Sequence, residues 1–207
     1  AESVKNGWNI DIRKHPLKPL TIFELISQNS LSIKAAAYII LVASLRLANI
    51  IIIGEPGSGK TTLLNSIDMT IPSHYRRLYV EDAIESLELS NLGKFQVKLK
   101  VNPMEYDVNT MKEVEITKSL HRKPDILILG ELQTKEHFNA AFMAMNSGLL
   151  TLQTCHAISF EQLFRRVVYV YQIPKEFFNN CIIIVMKRDI VSSPEKRFVN
   201  DIIYTTI

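Results

Sequence analysis

A chain of 207 residues can build one substantial α/β core with a fragment of a second unit, and no more. Its 47% hydrophobic and 22% charged residues exclude a disordered tail. A net charge of +3, carried by basic residues dispersed along the chain, lacks the concentrated footprint of a nucleic-acid binder. In chain order, residues 1–19 are mixed, with Pro16 and Pro19 preventing a long helix. They read as a linker or the end of a preceding domain, and the first residue, not a methionine, suggests a fragment. Thr21 and Glu24 have capping-box spacing ahead of a short amphipathic segment, and a helix is predicted over 32–47. Its most apolar part, Ala35 to Leu45 between Lys34 and Arg46, is too short to span a membrane, which takes about 20 residues.

Asn49 to Ile53 is β-branched and uniformly apolar, the pattern of a parallel strand covered on both faces. A helix follows over 59–69 and a strand over 77–80. A half-exposed strand is expected at 95–101 and a helix at 110–122, opened by Thr110 and Glu113 in capping-box spacing. Ile126 to Leu129 is a second buried strand, 135–146 a helix and 150–154 a strand. A helix over 160–171 capped by Ser159, a strand over 182–187, a polar turn and a last strand over 198–204 complete the chain. Strands alternating with helices of this length imply a mostly parallel central sheet flanked by helices, an α/β fold. Cys155 and Cys181 are far apart and form no CxxC pair, so neither a disulfide framework nor a zinc site is expected.

Gly54-Glu55-Pro56-Gly57-Ser58-Gly59-Lys60-Thr61 matches the phosphate-loop pattern G-x-x-x-x-G-K-[ST] at every defining position. A buried strand precedes it and a helical pattern beginning Thr61-Thr62 follows. Glycines let successive backbone N–H groups close on phosphate oxygens without obstruction by Cβ, and the helix N-terminus adds its dipole. Lys60 is then placed to reach β- and γ-phosphates, and Thr61 to hold Mg²⁺ through its hydroxyl. The competing reading is a glycine-rich strand-to-helix turn with no ligand.

Hydrolysis also needs groups that position water and complete the metal shell, and these sit at the C-terminal ends of parallel strands. Glu81-Asp82-Ala83-Ile84-Glu85 follows one strand and Gly130-Glu131 another, while His156 follows a third. Against each stands a plain alternative: a polar loop at a strand end, or a structural histidine.

Together these pieces resemble the secretion ATPase superfamily, the motors of type II and type IV secretion, type IV pili and the archaeal flagellum. The resemblance covers most of the chain. It is carried in order by GEPGSGKTTLLNSI, RLYVEDAIESLEL, RKPDILILGELQTKEHFNAAFMAMNSG and TLQTCHA. It implies a RecA-like P-loop NTPase over residues 20–207 that uses ATP and Mg²⁺. By the same resemblance Glu85 activates the attacking water, Glu131 helps hold Mg²⁺, and His156 lies near the γ-phosphate. Arg77 matches a commonly basic position and is alternatively an ion-pair partner, and Arg13 is a candidate nucleotide contact from the N-terminal side. The implied setting is a homo-hexamer at the cytoplasmic membrane face, working with an inner-membrane platform protein on pilin-like or secreted cargo, with no direct nucleic-acid contact.

Five positions depart from the family pattern. Leu132, Gln133 and Thr134 replace Ile-Arg and an acidic residue, Leu149 replaces a histidine, and His121 replaces an arginine. Such losses remove groups that stabilise transition-state charge, where one arginine is worth about 10³-fold or more in rate. Two other readings therefore stand beside the motor: a nucleotide-binding scaffold or regulator with little turnover, and a small P-loop kinase. The kinase requires arginine-rich acceptor and lid segments, which are not seen between Glu81 and Asp125.

Overall fold

In a computed structural model, residues 19–101, 111–192 and 195–206 are described. The elements run α1 (Ile22–Ser27), α2 (Ile33–Leu45), β1 (Asn49–Gly54), α3 (Lys60–Thr70), β2 (Arg77–Glu81), β3 (Gln96–Lys100), α4 (Lys112–Arg122) and β4 (Ile126–Leu132). Then come α5 (Lys135–Asn146), β5 (Leu150–His156), α6 (Phe160–Phe164), β6 (Cys181–Asp189) and β7 (Lys196–Thr205). The strands form one sheet in the order β3-β2-β4-β5-β1-β6-β7. Every neighbouring pair is parallel except β6 and β7, which form an antiparallel hairpin.

The uniformly apolar strands are explained by burial on both sides. In β1, Ile51 and Ile53 join one core with α4, α5 and α6, whereas Ile50 and Ile52 join a second core with α1, α2 and α3. The same alternation divides Leu127 and Leu129 from Ile126 and Ile128 in β4, as strand geometry requires. Parallel pairing also aligns the strand ends. Gly54 stands opposite His156 on one side and Met186 on the other, so β1, β5 and β6 deliver their C-terminal residues to one edge.

Local signals set several boundaries. The Thr21–Glu24 capping box forms: Thr21 N donates to Glu24 Oε2 at 2.7 Å and Glu24 N to Thr21 Oγ1 at 3.3 Å. Ser32 caps α2, accepting from Ala35 N at 3.2 Å, so that helix starts one residue later than expected; it stops at Leu45 because Arg46 turns to φ 55°. Helix α4 begins at Lys112, with Met111 at its N-cap and no side-chain cap. The Thr110 half of the expected capping box lies outside the described residues.

The segment expected as a helix over 160–171 is helical, α-helical to Phe164 and wound as a π-helix over Arg165–Val170. Its wider turn is closed by Tyr171 N donating to Arg166 O at 2.9 Å, five residues back. The wider winding accompanies packing on two sides: Val167 is buried in the core, and the Arg166 guanidinium lies 5.6 Å from the Phe138 ring centroid. Ser159 caps this element as expected, accepting from Gln162 N at 3.3 Å.

Candidate functional site

The glycine turn between β1 and α3 fills the centre of that sheet edge. Gly57 and Gly59 adopt φ values of 75° and 93°, left-handed conformations that side chains strain. Gly54 is fixed by space instead: a Cβ there would lie 2.5 Å from Ser58 Oγ and 2.7 Å from the Met186 carbonyl oxygen. Glu55, Pro56 and Gly57 are exposed, Ser58 is fully buried, and Thr61 and Thr62 are half-buried in the first turn of α3. The Ser58 hydroxyl has no hydrogen-bond partner among the described residues, an uncommon state for a buried polar atom.

Lys60, the first residue of α3, folds back over the turn. Its ammonium donates to the carbonyls of Gly54 at 3.1 Å and Glu55 at 2.9 Å and lies 3.1 Å from His156 Nδ1. Burial pushes the Lys60 pKa down, against the opposing pull of Glu131, Cys155 and Glu85. An ammonium has only donors, so His156 Nδ1 accepts and the ring proton stands on Nε2, which lies against Glu131 Oε1. Oε1 is buried and has no aligned hydrogen bond, while Oε2 accepts from Gln133 Nε2 at 2.9 Å.

Glu131 reaches this position through an irregularity in β4. The β4–β5 register shifts between Leu129 and Leu132, a bulge that bends the strand and re-aims its side chains. The Thr154 hydroxyl donates to the Gly130 carbonyl and pins the bulge from the neighbouring strand. The loop after β2 divides its acids among different tasks. Glu81, whose carboxyl burial raises in pKa, accepts from the backbone N–H groups of Glu85 at 3.3 Å and Ser86 at 3.0 Å and from Ser86 Oγ at 2.6 Å. Asp82 pairs with Lys112 at 2.6 Å. Glu85 is half-buried, its backbone carbonyl accepts from Asn65 Nδ2 at 3.0 Å, and its charge acts on Lys60.

The fold thus brings Lys60, Glu131 and His156 into contact, with Glu85 within electrostatic reach. Arg77 is elsewhere, at the opposite end of β2, where it is wholly buried and pairs with Asp68 at 2.8 Å. It also donates to the carbonyls of Ile71, Pro72 and Tyr75, closing the end of α3; of the two roles open to it, ion pairing is the one found. Arg13 lies outside the described residues. Leu132 is core, Thr134 caps α5, Leu149 packs against the core, and His121 is exposed in the last turn of α4.

Two neighbours of the site were missed in the sequence. Lys112 is buried and donates to both Asp82 and the Glu131 carbonyl, each at 2.6 Å, a link made only by tertiary packing. Asn65 had a usable signal, since it lies four residues beyond Thr61 and so on the same face of α3.

Known proteins share this fold. The fold resembles the VirB11 ATPase of the Brucella suis type IV secretion system, solved with sulphate, at a TM-score of 0.69 and 22% identity, covering 91% of this chain and 57% of that one. It also resembles the pilus retraction motor PilT with bound ADP, at a TM-score of 0.61 and 21% identity over 86% of this chain and 51% of that one. At such identities the likeness concerns the fold.

Among sequences, an uncharacterized protein of Methanocaldococcus jannaschii is 32% identical over 145 residues, 70% of this chain and 52% of that protein. A twitching motility protein of Neisseria gonorrhoeae is 27% identical over 161 residues, 74% of this chain and 41% of that protein. A second Methanocaldococcus jannaschii relative, 34% identical over 157 residues or 72% of this chain, is matched over 21% of its length. The chain therefore spans about half or less of the curated relatives it matches. The family model described as "Type II/IV secretion system protein" matches residues 4–197. With nearly the whole chain matched and the strand order and glycine turn in place, this chain belongs to the type II/IV secretion system protein family.

Proposed function

We propose that this chain is the ATP-hydrolysing motor domain of a secretion or type IV pilus-like assembly system. The observation that carries the reading is the convergence of the glycine turn, Lys60, Glu131 and His156 on one edge of a parallel sheet. The buried Ser58 hydroxyl, without a partner among the described residues, and the two left-handed glycines fit a cradle for phosphate oxygens. Beside Gly59 and Thr62 an open cavity of about 390 Å³, walled by Leu20, Leu31, Met186 and Phe198, offers apolar surface to the nucleoside end. In this reading Gly54, Glu55, Pro56, Gly57, Ser58, Gly59, Lys60, Thr61 and Thr62 hold the phosphates.

Thr61 and Glu131 are the groups that would hold Mg²⁺, which neutralises charge on the phosphates when bound. Among the described residues no cluster of three acidic, histidine or cysteine groups could hold a metal alone. That suits Mg²⁺, which is bound through one or two carboxylates together with substrate phosphates. Glu85 would orient and deprotonate the attacking water, and Lys60 would exchange its two carbonyl contacts for phosphate oxygens. His156, already against Lys60 and Glu131, would register whether those contacts have been exchanged.

Residues 20–207 form the ATPase domain in this proposal, and residues 1–19 link it to a preceding domain. The chain would act in a homo-hexamer on the cytoplasmic face of a membrane, with a platform protein and pilin-like or secreted cargo. No helix among the described residues is long and apolar enough to cross a membrane.

One observation favours the alternative, a nucleotide-binding regulator with little turnover: a neutral Gln133, rather than an arginine, engages Glu131. Phosphate release by Glu85→Gln and Glu131→Gln variants separates the two. The motor reading expects each to fall by about 10²-fold or more, the usual worth of a positioned base or metal ligand. Unchanged release in both would refute it.

A further inference from the structure

On the other side of the glycine turn from Glu131, β6 and β7 place Arg188 directly opposite Arg197 in their antiparallel register. Like charges facing each other across two strands repel, and here one carboxylate stands between them. Arg188 holds Glu195 side-on, through Nε and through Nη2 at 2.8 Å, while Arg197 Nη2 lies 3.5 Å from the same carboxylate. Both arginines also reach the turn. A Cβ at Gly57 would sit 3.2 Å from Arg188 Nη1, and one at Gly59 would sit 3.6 Å from Arg197 Cδ. The nitrogen of Arg188 turned toward Gly57 is therefore the one that Glu195 leaves unengaged, and the missing side chain of Gly57 admits it.

We propose that Arg188 and Arg197 form a second anion seat on the rim of the turn, taking an oxyanion of a nucleotide's phosphate chain, with Glu195 as its built-in competitor. The proposal rests on the nucleotide reading above and adds to it a residue that sets affinity. A guanidinium fork accepts carboxylate and phosphate with the same paired geometry, so one can replace the other. The Arg188 and Glu195 side chains keep 34% and 30% of their surface in solvent, so their contact is screened and the exchange is inexpensive. Glu55, on the turn itself, adds a second carboxylate whose charge acts on Arg188. The rim therefore stays near neutral until a polyanion with more charge arrives.

The test is ADP affinity of the full chain, measured by calorimetry at fixed, low salt. Glu195→Gln is expected to tighten binding by about 5-fold, in keeping with the small worth of an exposed charge contact. Arg188→Ala is expected to weaken it by about the same factor. Adding Glu195→Gln to Arg188→Ala should then restore only a fraction of that gain, because Arg188 is missing and only Arg197, the more distant partner of Glu195, is left to be freed. Unchanged or weaker binding by Glu195→Gln, or an equal gain with and without Arg188, would overturn the proposal. Lys60→Ala serves as the control for the underlying reading. If it abolishes ADP binding while Glu195→Gln does nothing, the seat fails and the nucleotide site stands; if it leaves binding intact, both fail.

Discussion

Lys60 carries the main electrostatic tension of the site. Its ammonium is buried against two carbonyls and a histidine, and desolvation holds its pKa below the ordinary lysine value. A polyanion bound beside it would favour the charged form and raise that pKa again. Binding should therefore be accompanied by proton uptake on the alkaline side, in the window between the depressed pKa of the free protein and the raised pKa of the complex. Affinity should fall as pH rises through that window. Calorimetry of ADP binding in buffers of different ionisation enthalpy measures the proton directly, and a binding enthalpy independent of buffer at alkaline pH would show that Lys60 does not face the ligand.

Among elements, β4 and β2 show how unlike demands are met by neighbouring strands. In β4 the bulge at Gly130 and Glu131 interrupts pairing so that a carboxylate can turn toward the site, and Thr154 holds it there. Thr154→Val should cost little stability, about 1 kcal/mol for one net hydrogen bond, yet lower phosphate release by loosening Glu131. Release equal to wild type would mean that the bulge holds its shape without this bond.

In β2 the buried Arg77–Asp68 pair joins the strand to the end of α3. Arg77→Met would leave the buried Asp68 without its ion-pair partner, keeping only the hydrogen bond from the Tyr79 hydroxyl and the weaker pull of Lys94, and a loss of about 3–5 kcal/mol in denaturant unfolding is expected at neutral pH. Burial already raises the Asp68 pKa, and losing the arginine raises it further. A carboxyl with a raised folded-state pKa penalises folding fully above that pKa and not at all below its unfolded value. The deficit should therefore shrink, without vanishing, as pH falls toward the ordinary carboxylate range, the remainder reflecting the lost carbonyl contacts. A deficit that stays constant with pH would show that Asp68 is not left charged.

For the whole molecule, the sheet divides the interior into two cores, and the site lies where their shared strands end. Cys155 and Cys181 are both fully buried within one of these cores, and burial pushes each thiol up to about 12. Neither should react with a thiol reagent at neutral pH until the chain unfolds, so labelling should follow global unfolding and yield two equivalents at once. Rapid labelling of the native chain would show that the core over α5 and α6 opens on its own.

Much of this architecture was legible because it follows from local rules. Runs such as Asn49 to Ile53 and Ile126 to Leu129 carry the pattern of strands buried on both faces, and Thr21, Ser32 and Ser159 announced helix starts through their hydroxyls. The glycine turn was legible for the same reason, since its backbone conformation admits few residues at those positions. The contacts between elements were not encoded in any short window. That Glu81 organises a loop while Glu85 comes within electrostatic reach of Lys60, that Arg77 serves the core, and that Arg188 and Glu195 meet beside Gly57 all depend on strands distant in sequence arriving in register. Backbone conformation is settled within a few residues by sterics and local hydrogen bonds, whereas a side chain's partner is settled by packing between elements, and that only the folded sheet decides.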